Sequence, residues 1–339
     1  MAAAHLRKRL QWKLILLALV IALGITIIAA TAVGPVEIPF AVVISTIAGL
    51  GSTPSPVERT IVLDIRLPRI ILGILVGAAL GVAGTAMQGL FKNPMADPYI
   101  IGISSGAALG ASIAIVTFSS SFYALLLMAF VMATLTVFIV YSIASIGGKV
   151  PVATLLLAGI AVGTFMSALT SFIMYTSGEN LHGIVFWLMG GLWGRSWIHV
   201  FIILPWVILG SAVIFIFARD LNAMLLGEES AQHLGIEVET VKKILIVSAS
   251  LITAVAVAVS GIIGFVGLII PHIMRLLVGS DHRILIPSSA LVGGIFLVWA
   301  DTISRTVISP TEIPVGIITA LFGAPFFVYL LRRKKRVVS

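Results

Sequence analysis

The side chains able to do chemistry are few and unevenly placed. The chain has 339 residues with 21 Lys and Arg, 13 Asp and Glu, six His and no Cys, so disulfides and thiolate metal sites are excluded. Its long apolar runs hold no Asp or Glu apart from Asp301, near the end of one. A membrane-embedded enzyme, an ion channel or a proton-driven carrier would place ionisable groups inside such runs. There is no H-E-x-x-H, and Gly147-Gly148-Lys149 lacks the upstream glycine and the following Ser or Thr of a phosphate-cradling loop. The chain therefore reads as a non-enzyme that hydrolyses no ATP itself and holds no metal or other cofactor. Two groups remain. His272 and Arg275, three apart on one helical face, offer either a metal or haem ligand or, more commonly for a lone histidine, a hydrogen-bonded structural pair. Ser104 and Ser105, with Thr164, Ser167, Thr170 and Ser171 at helical spacing, either bond back to their own helices or form a weakly polar wall that holds cargo loosely.

The elements that must position these residues follow from composition. The chain is 60% hydrophobic and 10% charged, with a mean hydropathy of +1.19; a soluble chain carries roughly 25% charged residues. Repeated uncharged runs of ~20 residues match the bilayer core, and the short alternating segments of a β-barrel are absent. The reading is an all-α polytopic membrane protein, a single domain over 1–339 with ten transmembrane helices, some short or broken. The spans fall near 14–36, 70–91, 98–117, 122–146, 151–175, 197–217, 244–260, 262–278, 284–303 and 313–331. The first is longer in apolar length than a signal-peptide core, so it is kept as a span despite small residues at 29–32. The uncharged run 98–148 would make a helix of ~77 Å, more than twice the hydrocarbon thickness, and must turn back, near 117–121. A short surface helix is expected over 40–50. Gly77 and Gly81 form a close-packing pair, while Gly261, Gly264, Gly267 and Pro271 predict broken or short helix.

The net charge of +8 is carried largely by basic runs at 7–9 and 332–336, each flanking an apolar span. They read as cytoplasmic anchors and not as a nucleic-acid surface. Ten spans put both termini on the same side. Placing them in the cytoplasm leaves five of the 21 Lys and Arg outside (Arg59, Arg66, Arg69, Arg195, Arg305) and the other 16 inside, as the positive-inside tendency requires. The stretch 219–243 then lies inside. It holds Arg219, Asp220, Glu228, Glu229, Glu237, Glu239, Lys242 and Lys243 between two uncharged runs. It has room for two short helices with a turn at Gly227, and Leu221, Met224, Leu225, Leu234 and Ile236 give them apolar faces. Such faces on a water-exposed loop are explained by packing on the membrane domain and by a partner; the alternative is a solvated loop.

LLGEESAQHLGIEV at 225–238 resembles the coupling loop of type II ABC importer permeases of the FecCD type, the family that moves iron chelates, haem and cobalamin. Further similar motifs occur in family order: IRLPR at 65–69, MQGLFKNPMADPYIIGISSGA at 87–107, LLLAG at 155–159, MGG at 189–191, GFVGLIIPHIMRLLVGSDHR at 264–283, and the Asp301–Gly316 ending. The resemblance implies two copies of the permease around a central pathway in the cell membrane, amid lipid. It also implies two ATPase subunits below, which use ATP and Mg, and a solute-binding protein docked outside. It assigns coupling to Leu225, Leu226, Gly227, Glu228, Glu229, Ser230, Ala231, Gln232, His233, Leu234 and Gly235. Docking falls to Arg66, Arg69 and Arg305; the alternative is that Arg66 and Arg69 snorkel while Arg305 pairs with Asp301 or Glu312. The inner gate carries over onto Asn93, Met95, Val152 and Ala153, and the pathway wall onto Thr164, Ser167 and Ser171. The family pattern around His272 favours its structural role. The cargo most expected is an iron–siderophore or haem, with cobalamin or an oxyanion such as molybdate as alternatives.

Overall fold

The computed structural model describes residues 2–49, 54–118 and 121–338, with side chains between Leu10 and Tyr329. Helix α1 (Ala2–Ala32) stops just before Gly34 and Pro35. Then come α2 (Phe40–Ala48), closed by Gly49 in the left-handed region, and α3 (Pro56–Thr60). The Ser55 hydroxyl and the Glu58 carboxylate start α3 by accepting each other's backbone N–H groups. A π-helical turn at Ile61–Arg66 leads into α4 (Leu67–Leu90), so the helix expected from residue 70 is continuous from Pro56. The charges between Glu58 and Arg69 read as loop in sequence. The helix absorbs them because Arg66 and Arg69 turn inward to partners described below.

Asp97 caps a 3-10 turn, Pro98–Ile101, and Gly102 at φ 84 then redirects the chain into α5 (Ile103–Thr117). α5 therefore starts five residues later than the apolar run. α6 (Phe122–Ala144) packs beside it; the centre of the expected turn, residues 119 and 120, lies outside the described residues. α7 (Val152–Thr176) is followed by α8 (Leu181–Leu188), which is too short to cross a membrane. α9 (Trp197–Ile216) leads to two short helices, α10 (Ala218–Met224) and α11 (Glu228–His233). α12 (Val238–Ser260) begins six residues before the expected 244, inside the charged stretch. Residues 261–265 are not helical, with Gly261 and Phe265 at positive φ, before the short α13 (Val266–Val278). α14 (His282–Ser304) and α15 (Val315–Val338) complete the chain.

Among the described residues seven helices are long and apolar enough to cross a membrane, while α5, α13 and the apolar part of α15 are shorter. α4 and α12 form the centre, with 78% and 72% of their apolar windows buried, against 17% for α1 and 28% for each of α6, α7 and α9. The outer helices thus present apolar faces outward. At the middle of α4 a Cβ on Gly77 would fall on the Gly293 carbonyl of α14, and one on Gly293 would fall on the Gly77 carbonyl. The two backbones touch there, and only glycine permits it. Such contact is a main source of helix attraction where lipid and side chains are equally apolar.

Candidate functional site

The loop between α9 and α12 is built by local rules. Gly227, at φ 127, separates α10 from α11, a backbone value that side chains rarely adopt. α11 ends with the Gly235 N–H on the Gln232 carbonyl and the Ile236 N–H on the Ala231 carbonyl. That pair is a Schellman closure around Gly235 at φ 83. Leu221, Met224 and Ala231 are fully buried against the bundle, while Leu226 and Leu234 are 74% and 66% exposed. The sequence places Leu234 on an inward face; the turn at 234–236 points it out instead. Glu229, Ser230, Gln232 and His233 are exposed around these two leucines, whereas Leu225, Gly227 and Glu228 are half-buried.

Two sets of hydrogen bonds fasten this loop to the bundle. Lys242 on α12, 4% exposed, donates to Glu228 on α11 at 2.7 Å and to Glu239 at 3.0 Å. The other Glu239 oxygen accepts the Val150 N–H at 3.1 Å, two residues before Val152. On the other side the Asn222 side-chain oxygen accepts the His282 backbone N–H and the Nδ1–H of its ring, each at 2.8 Å. With Oδ1 as acceptor, the proton sits on Nδ1, and Nε2 faces Gly89 of α4 with no hydrogen-bond partner. The Asn222 amide donates to Asp281 at 2.9 Å. Arg283, together with that amide, holds the Asp281 carboxyl well below the ordinary carboxylate range. Sequence reasoning missed Asn222, Asp281 and His282, because nothing in the spacing of 222 and 282 brings them together.

The residues expected to form an inner gate lie near these fastenings in the chain. Asn93, exposed, accepts the Met95 N–H at 2.9 Å in the loop after α4, while Val152 and Ala153 open α7. No hydrogen bond joins the two pairs among the described residues. Asp97, in the same loop, is raised to about 6 by burial. On α7 the hydroxyls of Thr164 and Ser171 bond back to the carbonyls of Ile160 and Ser167 at 2.8 and 3.0 Å. Ser167 instead reaches Ser105 of α5 at 3.3 Å. All three α7 residues are exposed in the single chain, in a face that includes Leu157, Ile160, Phe165 and Phe172.

The arginines at the far end of α4 differ from expectation. Arg66, Arg69 and Arg305 are only 4%, 8% and 4% exposed. Arg66 donates to the carbonyls of Thr31 at 2.6 Å, Ala32 at 2.9 Å and Val36, and Arg305 donates to Ala30. They supply donors to the last carbonyls of α1, which no helical N–H reaches, at the negative end of its dipole. Arg69 takes Asp301 through Nε and Nη2 at 2.8–3.1 Å and Glu312 through Nη1 and Nη2 at 2.9 Å. Arg305 stays 3.9 Å from Asp301, and burial lowers its pKa to about 10. The three arginines are therefore not free guanidiniums on the surface. Arg66 and Arg69 do not snorkel either; Arg69 takes both acids, and Arg305 keeps the local pairing with Asp301. His272 and Arg275 lie half-buried on α13; no cluster of three or more His, Asp or Glu able to hold a metal occurs among the described residues.

A buried helical centre, an apolar rim and a polar loop with two exposed leucines fit a transport permease, and known proteins agree. The FecCD transport family matches residues 12–333. The chain belongs to the FecCD transport family. It is 52% identical to the cobalamin import system permease protein BtuC of Halobacterium salinarum, over 82% of this chain and 74% of that protein. It is 42% identical to the hemin transport system permease protein HmuU of Yersinia pestis, over 80% of this chain and 83% of that one. A solved structure described as an inward-facing conformation of a metal-chelate type ABC transporter superposes with a TM-score of 0.84 at 34% identity, covering 94% of this chain and 99% of the other.

Proposed function

We propose that this chain is the ten-span permease subunit of a binding-protein-dependent importer of metal chelates. It works as a homodimer in the cell membrane with both termini cytoplasmic, above two ATPase subunits and below a solute-binding protein. The observation that carries the reading is the loop: two exposed leucines among polar side chains, in the turns that follow two short helices bonded to the bundle at two points. An ATPase groove closing on Leu226 and Leu234 would bury them and push on a rigid unit. From there Glu239 leads to Val150 and the start of α7, and Asn222 leads through His282 to Gly89 and the Asn93 loop. Motion of one loop thereby reaches both gate pairs, Val152 with Ala153 and Asn93 with Met95. The apolar pair suits closure by dewetting. The short helices α5, α13 and α15 would complete the ten spans, shielded by their neighbours.

For cargo, the relatives named for cobalamin and hemin import favour a large metal-bound macrocycle, with cobalamin to be tried first and haem or an iron–siderophore next. Docking of the binding protein is best read through Glu312. A carboxylate from a partner reaches Arg69 only by displacing it, so Glu312→Gln should tighten docking if the arginines serve that purpose. The direct test is uptake of labelled cobalamin, haem and ferric siderophore into proteoliposomes with the ATPase and binding protein supplied. Leu226→Ser with Leu234→Ser should abolish ATP-dependent uptake while leaving yield unchanged. ATPase activity in the purified permease alone, or undiminished uptake in the double variant, would reject the assignment.

A further inference from the structure

A groove of about 510 Å3 opens on the side of the bundle between α6 and α12. Much of its wall is apolar, and two of its members, Phe138 and Val247, are 67% and 45% exposed, so it opens away from the bundle centre. Its two ends differ. At one, Tyr141, Ser142 and Ser145 gather three hydroxyls beside Lys243. Lys243 is exposed and makes no ion pair among the described residues, whereas Lys242 next to it is saturated by two carboxylates. At the deep end Ser250 is 4% exposed, lines the groove, and its hydroxyl has no hydrogen-bond partner. Ser112 and Ser288 on other helices bond back to their own carbonyls; Ser250, like Ser211 and Ser289, does not. Seven residues separate Lys243 from Ser250, about 10.5 Å along α12.

We propose that this groove holds one anionic glycerophospholipid, with its phosphate at Lys243 and an acyl chain between Phe138 and Val247. The inference rests on the membrane-permease reading. Charge selects the occupant: an unpaired ammonium in a groove lined also by three hydroxyls fits a phosphodiester, and the attraction of one lysine near a membrane surface is about 1 kcal/mol. The apolar wall selects against a free soluble anion, which would leave it wet. A neutral apolar molecule would leave Lys243 unused. The ester carbonyls of a phospholipid lie below its phosphate, on the path toward the buried, unpartnered Ser250 hydroxyl. The bound lipid would brace α6 against α12 next to the Glu239–Val150 hydrogen bond.

Purified permease exchanged with phosphatidylglycerol or phosphatidylcholine of identical chains, and read by native mass spectrometry, tests this. One phosphatidylglycerol per chain should be retained, about fivefold in preference to phosphatidylcholine. Lys243→Gln should bring that ratio to about one at unchanged melting temperature, with Lys243→Arg restoring it. Ser250→Leu fills the deep end, and Val247→Trp fills the exposed wall should the first variant fold poorly; either should cut retention of both lipids. Equal retention of the two lipids by the unaltered protein, a preference that survives Lys243→Gln, or full retention in the filled variants overturns the proposal. Retention is read without cargo, ATPase or binding protein, so its failure leaves the import reading standing, and failed uptake leaves lipid retention standing.

Discussion

The loop of α10 and α11 and the arginine cluster around Asp301 both concentrate charge in a chain that is 10% charged, at opposite ends of α4. Arg69 and Gly89 mark the two ends, twenty residues or about 30 Å apart. They use charge differently. In the loop Glu229 and Glu237 face water, and Lys242 is the charged member that goes inside. In the cluster three arginines and Asp301 are buried, and their donors are spent on α1 carbonyls and two carboxylates. A charge in a membrane protein is a handle for a partner where the backbone leaves it in water. Where helix ends and acids surround it, it is a rivet.

The sharpest test of that contrast is to replace 227–235 with a flexible Gly/Ser linker. Uptake should fall to background while insertion and yield persist, because the loop's buried contacts on α10 remain. Transport at the original rate would mean the loop does not couple. Next in size is Arg69→Ala. It strands Asp301 and Glu312 without their cation, and breaking a buried pair costs ~3–5 kcal/mol, so yield and melting temperature should drop sharply. Glu229→Ala in the loop should change stability by less than ~0.5 kcal/mol. Should Arg69→Ala fold normally and lose only its affinity for the binding protein, the cluster is a docking surface after all and the contrast fails.

Much of the loop was legible in sequence because its signals are local. Gly227, Gly235 and the flanking uncharged runs suffice to place two short helices between spans, and the irregular chain around Gly261 and Phe265 was legible for the same reason. The cluster was not, since Arg66 and Arg305 meet α1 across 30 residues and more, and charge by itself reads as exposure. Helix starts failed likewise: α12 carries Glu239, Lys242 and Lys243 in its first turns, where hydropathy reads loop. The fastening at Asn222, Asp281 and His282 is a tertiary coincidence that no periodicity encodes.

Between those two extremes lie the fastenings. Glu239→Gln keeps the shape but weakens the hold on Lys242 and Val150; losing a charged hydrogen bond costs about 1.5–3 kcal/mol. Uptake per ATP hydrolysed should fall severalfold, with Asn222→Ala acting in the same direction through His282. If both variants transport with unchanged stoichiometry, the loop moves the gate by another route, and the loop and the bundle are less tightly joined than their hydrogen bonds imply.

The smallest effect concerns Asp97, which belongs to neither cluster and so tests whether a lone acid behaves as either. Burial raises its pKa from 3.8 to about 6, which means folding favours the neutral form. A group raised in this way contributes stability below its unfolded pKa near 4, and that contribution is lost as pH rises through 6. Each pKa unit is 1.36 kcal/mol, and screening at its half-buried position brings the total to about 1–2 kcal/mol. Asp97→Asn keeps an oxygen to accept the Tyr99 N–H, the capping bond at 2.8 Å, and removes the charge. Melting temperatures of the two proteins should therefore coincide near pH 4 and separate by pH 7.5, with the Asp97→Asn variant higher. The opposite order at pH 7.5 would mean that the fold favours the ionised carboxylate, and that a third charged site exists in the loop after α4.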